Sequence, residues 1–343
     1  MDYEEYKSVL EYVPSNNSHL KDNILDDNSI LFNTMKKYAV YDKYVVSLSG
    51  GVDSMVLISI LNYLNKTVIG IHINYNNRPE TYIEREFLEK WCEYNDIQLY
   101  CMDITDIQRG DSKRSEYEEY TKKLRFNMYK QVLDTENCDS VLLAHHKDDI
   151  VENIFTNICR ARSLFNLGVL QKESVIDNVT IERPLLDLYK KCIVEYANTH
   201  EIPYFKDTTP KWSVRGCYRE KIDPSVQYAY GNQVKDNLLS VETELKEWYS
   251  LITDSIINPF VKSMSIIDTE VSFNITYYKQ YPLCFWNTIF IKLFHFYHSR
   301  VPSKRSIKAF VDYIEHRTDG TINLTNETKT KMKNNVVTIS FKV

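Results

Sequence analysis

The sequence predicts an α/β fold: a doubly wound parallel sheet, followed by a second, smaller α+β domain. Three observations point there. Short apolar, β-branched runs alternate with helical patterns of ten or more residues through the first two thirds of the chain, the pattern of crossover units in a parallel sheet. Val141-Leu142-Leu143-Ala144 is continuously apolar rather than alternating, as strands covered on both faces are. Beyond about residue 260 the order changes to strand-like pieces mixed with helices.

Taken in order, the chain to about Asn33 is polar and acidic and reads as a partly helical extension. Tyr44–Leu48 is a strand ending in Ser49-Gly50-Gly51, and Val52–Leu64 is a helix with Val56, Leu57, Ile60, Leu61 and Leu64 at helical spacing. Val68–Ile73 is a second strand, and Glu80–Asp96 a helix with Ile83, Phe87, Leu88 and Trp91 on one face. A strand at Gln98–Met102, a helix at Tyr117–Leu133 and a strand at Ser140–Ala144 continue the alternation, and Ile150–Ile158 opens the next helix. Arg183-Pro184-Leu185-Leu186 breaks into a helix at Tyr189–His200, and turn-rich Lys206–Pro224 closes the domain. Lys235–Ile257 reads as a long amphipathic connecting helix. A strand at Val271–Tyr277, helices around Phe285–His298 and Ser306–Glu315, and a strand at Val336–Phe341 complete the chain. The plan is therefore an acidic extension (1–33), an α/β domain (34–226), a connecting helix (227–258) and a small C-terminal domain (259–343).

Composition bounds the function. At 343 residues the length suits two domains. With 43% hydrophobic and 26% charged residues the chain buries real cores, and eight Gly and nine Pro exclude low-complexity classes. No run reaches ~18 apolar residues, and the N-terminus lacks the layout of a signal peptide, so no membrane span and a cytoplasmic location are expected. Seven cysteines are scattered singly without a C-x-x-C pair, so neither a zinc ribbon nor a dithiol site is visible. Residues 1–30 carry seven acids against two bases, whereas 300–343 carry nine bases against four acids. That asymmetry suggests a basic face at one end and an acidic arm at the other.

Two segments carry chemistry. Ser49-Gly50-Gly51-Val52-Asp53-Ser54 joins a strand to a helix. Adjacent glycines let backbone amides converge on an anion, the following helix adds its positive N-terminus, and both serines offer hydroxyls. Asp53 would repel bare phosphate, which suggests a bridging Mg²⁺. The loop is neither G-x-x-x-x-G-K-[ST] nor G-x-G-x-x-G, disfavouring kinase-like γ-transfer and dinucleotide binding. Downstream, His145-His146-Lys147-Asp148-Asp149-Ile150-Val151-Glu152 follows a strand, with Asp149 and Glu152 three apart on one helical face.

The S-G-G-x-D-S loop resembles that of the PP-loop ATP pyrophosphatases, whose fold is adenine nucleotide α hydrolase-like and which cleave ATP between its α and β phosphates. The H-H-x-D-D-x-x-E segment resembles the tRNA(Ile)-lysidine synthetase family within it. So do Glu116–Arg125, Arg183–Leu186 with Lys190–Tyr196, and Asp207–Thr209 with Tyr218–Pro224, in order over about 40–225. The sequence departs from the family at Tyr75, where His is usual, at Arg160–Gly168, where a glycine-rich run is usual, and at Arg219-Glu220, where Arg-Asn is usual.

The resemblance implies ATP on Ser49, Gly50, Gly51, Val52, Asp53 and Ser54, with His72 and His145 beside it. Mg²⁺ would lie on Asp53 and Asp149, and Arg125 would reach the phosphates. His145 and His146 have two readings, as pocket lining or as buried hydrogen-bonded side chains. It further implies adenylation of a wobble cytidine and attack by the ε-amine of free lysine, with Glu152 assisting deprotonation. The partner would be a tRNA anticodon loop, with Arg160, Arg162, Lys206, Lys211, Arg215 and Arg219, and Lys304 and Arg305 of the tail, as contacts; a homodimer is compatible with it. The alternatives are a tRNA-thiolating enzyme, which the missing C-x-x-C disfavours, and an adenylating ligase of a small molecule with the tail as a dimerisation module.

Overall fold

In a computed structural model that describes residues 1–15, 20, 29–107 and 114–342, the chain divides into two units, Met1–Glu242 and Thr243–Val343. The first begins with a short 3-10 turn at Glu4–Tyr6 and the strand β1 (Leu10–Tyr12), followed by α1 (Ile30–Tyr38), whose N-terminus Ser29 caps by accepting from the Phe32 amide. Then come β2 (Lys43–Ser47), α2 (Val52–Tyr63), β3 (Thr67–Asn74), α3 (Thr81–Tyr94), β4 (Gln98–Asp103), α4 (Arg114–Glu136), β5 (Ser140–Leu142) and α5 (Lys147–Cys159). A hairpin of β6 (Glu173–Ile176) and β7 (Val179–Glu182) leads to α6 (Lys190–Thr199), β8 (Tyr204–Phe205), α7 (Val214–Cys217), a π-helical turn at Tyr218–Ile222 and α8 (Asp223–Tyr230).

Six of these strands form one sheet in the order β4-β3-β2-β5-β7-β6. All neighbours run parallel except the β6–β7 pair. The sheet is doubly wound as the sequence predicts, and the pleat shows why. Val45 packs with Ile69, Ile71, Val141 and Ile181 under Phe126, Tyr129 and Val132 of α4. Val46, on the opposite face, packs with α1, α2, α3 and α6 through Leu31, Met55, Phe87, Trp91 and Ile193. Both apolar neighbours in β2 are therefore core. The chain grows from β2 outward through β3 and β4, then returns to the other side at β5. The carboxyl ends of β2 and β5 thus flank the point where strand order reverses, the crevice where open α/β sheets bind ligands.

The sequence places these elements within about three residues, and several features differ. Residues 1–12 are not a free acidic arm. Tyr3, Tyr6, Val9 and Leu10 are buried in the main core, with the Tyr6 ring edge-on to Phe87 at 5.3 Å. β1 pairs antiparallel with β8, the register setting Leu10 opposite Phe205. The remainder of the expected helical extension, at 16–19 and 21–28, lies outside the described residues. The β6–β7 hairpin was not anticipated; its turn, Asp177-Asn178, holds both residues at positive φ (50° and 62°), as tight hairpins require.

The expected single connecting helix, which begins in the first unit and runs into the second, changes register. α9 (Val234–Ile252) gives way to a π-helical turn at Thr253–Ile257 and then α10 (Asn258–Lys262). Pro259 in the first turn of α10 has no amide to continue the ladder, which accounts for the break before it. β9 (Ser265–Ile267), β10 (Glu270–Asn274), α11 (Leu283–Phe296), α12 (Lys304–His316), β11 (Gly320–Thr321), β12 (Thr328–Lys333) and β13 (Val336–Phe341) follow. The strands make an antiparallel sheet ordered β11-β12-β13-β10-β9, consistent with the smaller α+β unit expected. Its core is aromatic, centred on Phe260, Phe273, Trp286, Phe290 and Phe310.

The packed N-terminus yields a prediction. Deleting residues 1–12 removes four buried side chains and uncovers Phe205 and Phe87, so the first unit loses about 5 kcal/mol or more, read as a lower denaturant midpoint. An unchanged midpoint would return this segment to the status of an arm.

Candidate functional site

The loop after β2 is built by its own serines. The Ser49 amide donates to Ser54 Oγ at 3.2 Å, the two hydroxyls lie 3.1 Å apart, and Ser54 Oγ donates to the Gly51 carbonyl at 3.0 Å. These contacts fold the chain back over the start of α2, whose first-turn amides have no acceptor within the helix. Gly50 has φ +79°, and a Cβ there would come within 2.0 Å of the Phe205 ring. Phe205 also donates its amide to the Gly50 carbonyl at 2.9 Å. Only glycine suits that position, in conformation and in space. Gly51 caps α2 in the extended region, and a Cβ there would meet nothing nearer than Ser49 Oγ at 3.5 Å. Its share of the motif is therefore an open backbone rather than close packing.

The loop after β5 meets this one through His146. Its imidazole is 2% exposed, with Nε2 3.6 Å from Asp53 Oδ1 and 3.5 Å from Asp149 Oδ2, and Nδ1 3.7 Å from Asp148 Oδ2. Asp148 is structural: it accepts from the Lys190 amide at 2.8 Å, at the start of α6, and from Lys235 Nζ at 2.7 Å. Asp149 and Glu152 share one face of α5 and are bound together by two arginines four residues apart. Arg215 donates from Nε to Glu152 Oε1 at 2.7 Å and from Nη2 to Asp149 Oδ1 at 3.0 Å. Arg219, on the π-helical turn, donates from Nε to Glu152 Oε2 at 3.1 Å and from Nη2 to Asp149 Oδ1 at 3.4 Å. Lys190 Nζ completes the set on Asp53 Oδ2 at 3.1 Å.

A cavity of about 570 Å³ opens beside the loop, lined by Ser49, Gly51, Val52 and Asp53 together with Lys190, Asp207 and Arg219. Next to it lies a second cavity of about 320 Å³ that shares Ser49 and includes His72 and Asn74 at the end of β3. Arg78 and Glu84 line both, joined by two hydrogen bonds from Arg78 Nη2 at 2.7 and 2.8 Å.

Electrostatics follow from these contacts. Burial would raise the Asp149 carboxyl, but the neighbouring His146, Arg215 and His145 hold it below the usual carboxylate range. Burial likewise opposes Asp148, and Lys235 with the Lys190 amide overcomes it. Burial lowers His145 to about 4, even against Asp149, and its Nδ1 accepts from Arg183 Nε at 3.2 Å. His72 is also lowered by burial, while its Nδ1–H donates to the Leu48 carbonyl at 2.9 Å. Glu84 is raised by burial in spite of Arg78.

The expected site residues divide as follows. Ser49, Gly51, Val52, Asp53 and His72 line the cavities, and Gly50 and Ser54 shape the loop behind them. Asp149 lies beside Asp53 across His146, and Glu152 is joined to Asp149 by Arg215 and Arg219. His145 is partly buried and hydrogen-bonded to Arg183, while His146 is buried among the carboxylates of Asp53, Asp148 and Asp149 with its Nδ1 lacking a hydrogen-bond partner. Arg125 on α4 lines neither cavity, and its guanidinium lies over the Phe126 ring at 5.5 Å. Arg215 and Arg219, expected at an RNA-facing surface, instead neutralise the site's acids. Arg160 and Arg162 lie just beyond α5 and are exposed, and Lys304 and Arg305 open α12 of the other unit. The roles of Lys190 and of the Arg78–Glu84 pair were missed; Lys190 opens the Lys190–Tyr196 segment, which was the available signal.

The resemblance implies a divalent ion at Asp53 and Asp149. Asp53 Oδ1 is buried without a hydrogen-bond partner, a hard anionic oxygen suited to such an ion. Among the described residues no group of three or more His, Cys, Asp or Glu side chains is arranged to hold a metal alone. The two aspartates would therefore share the ion with oxygens of a nucleotide or water.

Two predictions come from this geometry. Gly50→Ala meets Phe205 and a left-handed backbone at once, costing about 2–5 kcal/mol. Gly51→Ala leaves stability within about 0.5 kcal/mol; thermal melts of the pair check the difference. Separately, His145 binds its proton near 6.5 when unfolded and near 4 when folded. Its contribution is complete above 6.5 and is lost as pH falls toward 4, at up to about 1.4 kcal/mol per pH unit. His145→Asn, which keeps an acceptor for Arg183, flattens that slope in denaturant titrations between pH 6.5 and 4.

Comparison with known proteins agrees with the motifs. A family model described as the PP-loop domain matches residues 26–225. The tRNA(Ile)-lysidine synthase of Chlamydia muridarum is 26% identical over 292 residues, covering 83% of this chain and 88% of that protein. The one from Streptococcus agalactiae is 28% identical over 235 residues, 66% of this chain and 52% of that protein. Among solved structures, the U34-tRNA thiolase NcsA from Methanococcus maripaludis aligns with TM-score 0.51 at 19% identity, over 63% of this chain and 78% of that one, a likeness of fold alone. No helix among the described residues is long and apolar enough to cross a membrane. The chain belongs to the PP-loop family, and the branch its motifs point to, the tRNA(Ile)-lysidine synthetases, is the one whose name these curated relatives bear.

Proposed function

We propose that this chain is an ATP-dependent tRNA-modifying enzyme that converts a wobble cytidine to lysidine. One observation carries the reading. The glycine-pair loop and the H-H-x-D-D segment, far apart in sequence, meet across His146 where strand order reverses, with a cavity of nucleotide size beside them. ATP would bind with its phosphates over the loop amides and the N-terminus of α2. The C2 oxygen of the cytidine attacks the α-phosphorus, and pyrophosphate leaves. The ε-amine of lysine then adds at C2, gives up a proton, and expels AMP. Adenylation is needed because a cytosine oxygen is a poor leaving group and AMP a good one.

The chain's own groups supply the rest. Lys190 and Arg219 line the cavity and would offset charge gathering on the phosphates. A divalent ion on Asp53 and Asp149 would add further positive charge at the same place. Glu152 is poorly suited to act as the base, since Arg215 and Arg219 engage both of its oxygens; it positions the two arginines instead. Phosphates of the tRNA would meet basic residues, Arg160 and Arg162 in one unit and Lys304 and Arg305 in the other.

Purified protein given ATP, Mg²⁺, unmodified tRNAs and each amino acid in turn should release pyrophosphate only with its tRNA. Mass spectrometry of the nucleosides should show lysine added to cytidine. Asp53→Ala should reduce pyrophosphate release roughly a hundredfold or more while tRNA affinity stays within about twofold. Turnover retained by that variant would remove Asp53 from the reaction.

A further inference from the structure

We propose that Glu11, on β1, binds the α-ammonium of the amine substrate and so decides which of lysine's two amines reacts. The inference rests on the lysidine-forming function proposed above and names the residue that selects the reacting nitrogen. Glu11 precedes every segment that carries the family resemblance, and no motif singles it out.

Four acids line the larger cavity, and three of them are already answered. Asp53 accepts from Lys190 Nζ at 3.1 Å, Glu84 from Arg78 Nη2 at 2.7 Å, and Asp207 from Arg219 Nη1 at 3.5 Å. Glu11 is the fourth; it is exposed and has no hydrogen-bond or ion-pair partner among the described residues. Lys206, in the same wall, turns its ammonium to the Ser8 and Lys7 carbonyls at 2.9 and 3.4 Å. An unanswered carboxylate repels the phosphates of a nucleotide and attracts a cationic part of another substrate. A divalent ion would call for further acids around it, and no group of three able to hold one exists among the described residues.

The surroundings suit an aliphatic ammonium. Val194, Tyr204 and Phe205 line the cavity with Glu11 and offer apolar contact to a methylene chain. Phe205 donates its amide to the Gly50 carbonyl at 2.9 Å, so this wall reaches the glycine-pair loop. The strand bearing Glu11 is held on both sides: Leu10 lies opposite Phe205 and Tyr12 opposite Tyr204, the two tyrosine rings stacked at 6.0 Å. Its backbone needs no ordering when a ligand arrives, which lowers the cost of binding. The reaction needs such a selector. The α-amine is the weaker base of the two and gives up its proton more readily, so it competes for C2 of the adenylated cytidine. A carboxylate beside the α-nitrogen keeps it an ammonium without a lone pair. The ε-amine, at the other end of the chain, is then the one left to attack.

The test gives the full chain ATP, Mg²⁺ and its tRNA, and compares lysine with ε-aminocaproate, which lacks the α-amine. The wild type should show a KM roughly tenfold lower for lysine. Glu11→Gln should raise the KM for lysine to that of ε-aminocaproate and leave the KM for ATP unchanged. It should also form some α-linked product, separated from the ε-linked one by chromatography and mass spectrometry. Equal KM values for the two amines in the wild type would overturn the proposal. So would a Glu11→Gln enzyme that keeps the preference for lysine or forms the ε-linked product alone. Any of these results in an enzyme that still joins lysine to cytidine would leave the proposed function standing. A wild type that joins neither amine to any tRNA would sink that function and this proposal together.

Discussion

The structure around the loop depends on one electrostatic constraint: carboxylates crowded at the ends of two strands must each face a positive group. Asp53, Asp148 and Asp149 surround a single buried imidazole, and Glu152 adds a fourth acid one helical turn on. Left unpaired, charges so close and so little hydrated would be costly. Lys190, Lys235, Arg215 and Arg219 answer them, and each is brought from a different distance along the chain. The α6 start, the α7 turn and the head of α9 are consequently tied to the strand ends by charge as well as by apolar packing. Arginine suits the middle of this cluster because its planar fork can hold two carboxylates at once, which an ammonium cannot do in fixed geometry.

A second constraint is steric and comes from the least expected part of the molecule. The N-terminal twelve residues hold β8 through β1, and β8 holds Phe205 against Gly50. The Lys206 amide donates to the Val9 carbonyl at 3.0 Å, extending the pairing by one step. The glycine-pair loop after β2 is therefore clamped from outside by a two-stranded ribbon whose two strands come from opposite ends of the unit's sequence. The left-handed conformation of Gly50 is maintained by this contact and by the serine bonds within the loop. Backbone amides aimed at an anion gain from such rigidity, since nothing must reorganise when charge arrives.

Sequence carried the central sheet well because its strands are apolar on both faces and its helices amphipathic, so period and composition agree. Where the two disagree the reading failed. Thr328-Lys329-Thr330-Lys331-Met332-Lys333 alternates as a strand should, yet its buried set is two threonines and one methionine, too polar to stand out. Tyr3, Tyr6, Val9 and Leu10 form a buried set whose spacing was visible, but the surrounding acids made the segment look like a solvated arm. At the site, local motifs were legible: the loop, the aspartates and the glutamate. Their partners were legible only as charges. Arg215 and Arg219, four apart, match Asp149 and Glu152, three apart, but nothing in one dimension says that they meet. Lys190 opened one of the resembling segments, Lys190–Tyr196, without a role attached, and only the α6 start, fixed by Asp148, brings its ammonium onto Asp53.

The π-helical turns complete this argument. One, at Tyr218–Ile222, precedes Pro224, and the other, at Thr253–Ile257, precedes Pro259. In each a proline without an amide forces the ladder to be rebuilt over five residues. The second turn lies in an aromatic core, where widening the helix only adjusts packing. The first carries Arg219, which sits on the same two carboxylates as Arg215. In a regular helix two residues four apart project along one face, displaced by more than a turn's rise. The wider turn changes that projection, and the observed convergence of both guanidinium groups on Asp149 Oδ1 occurs where it intervenes. The same local defect, set by a proline two residues past the turn, is thus packing in one unit and part of the charge cluster in the other.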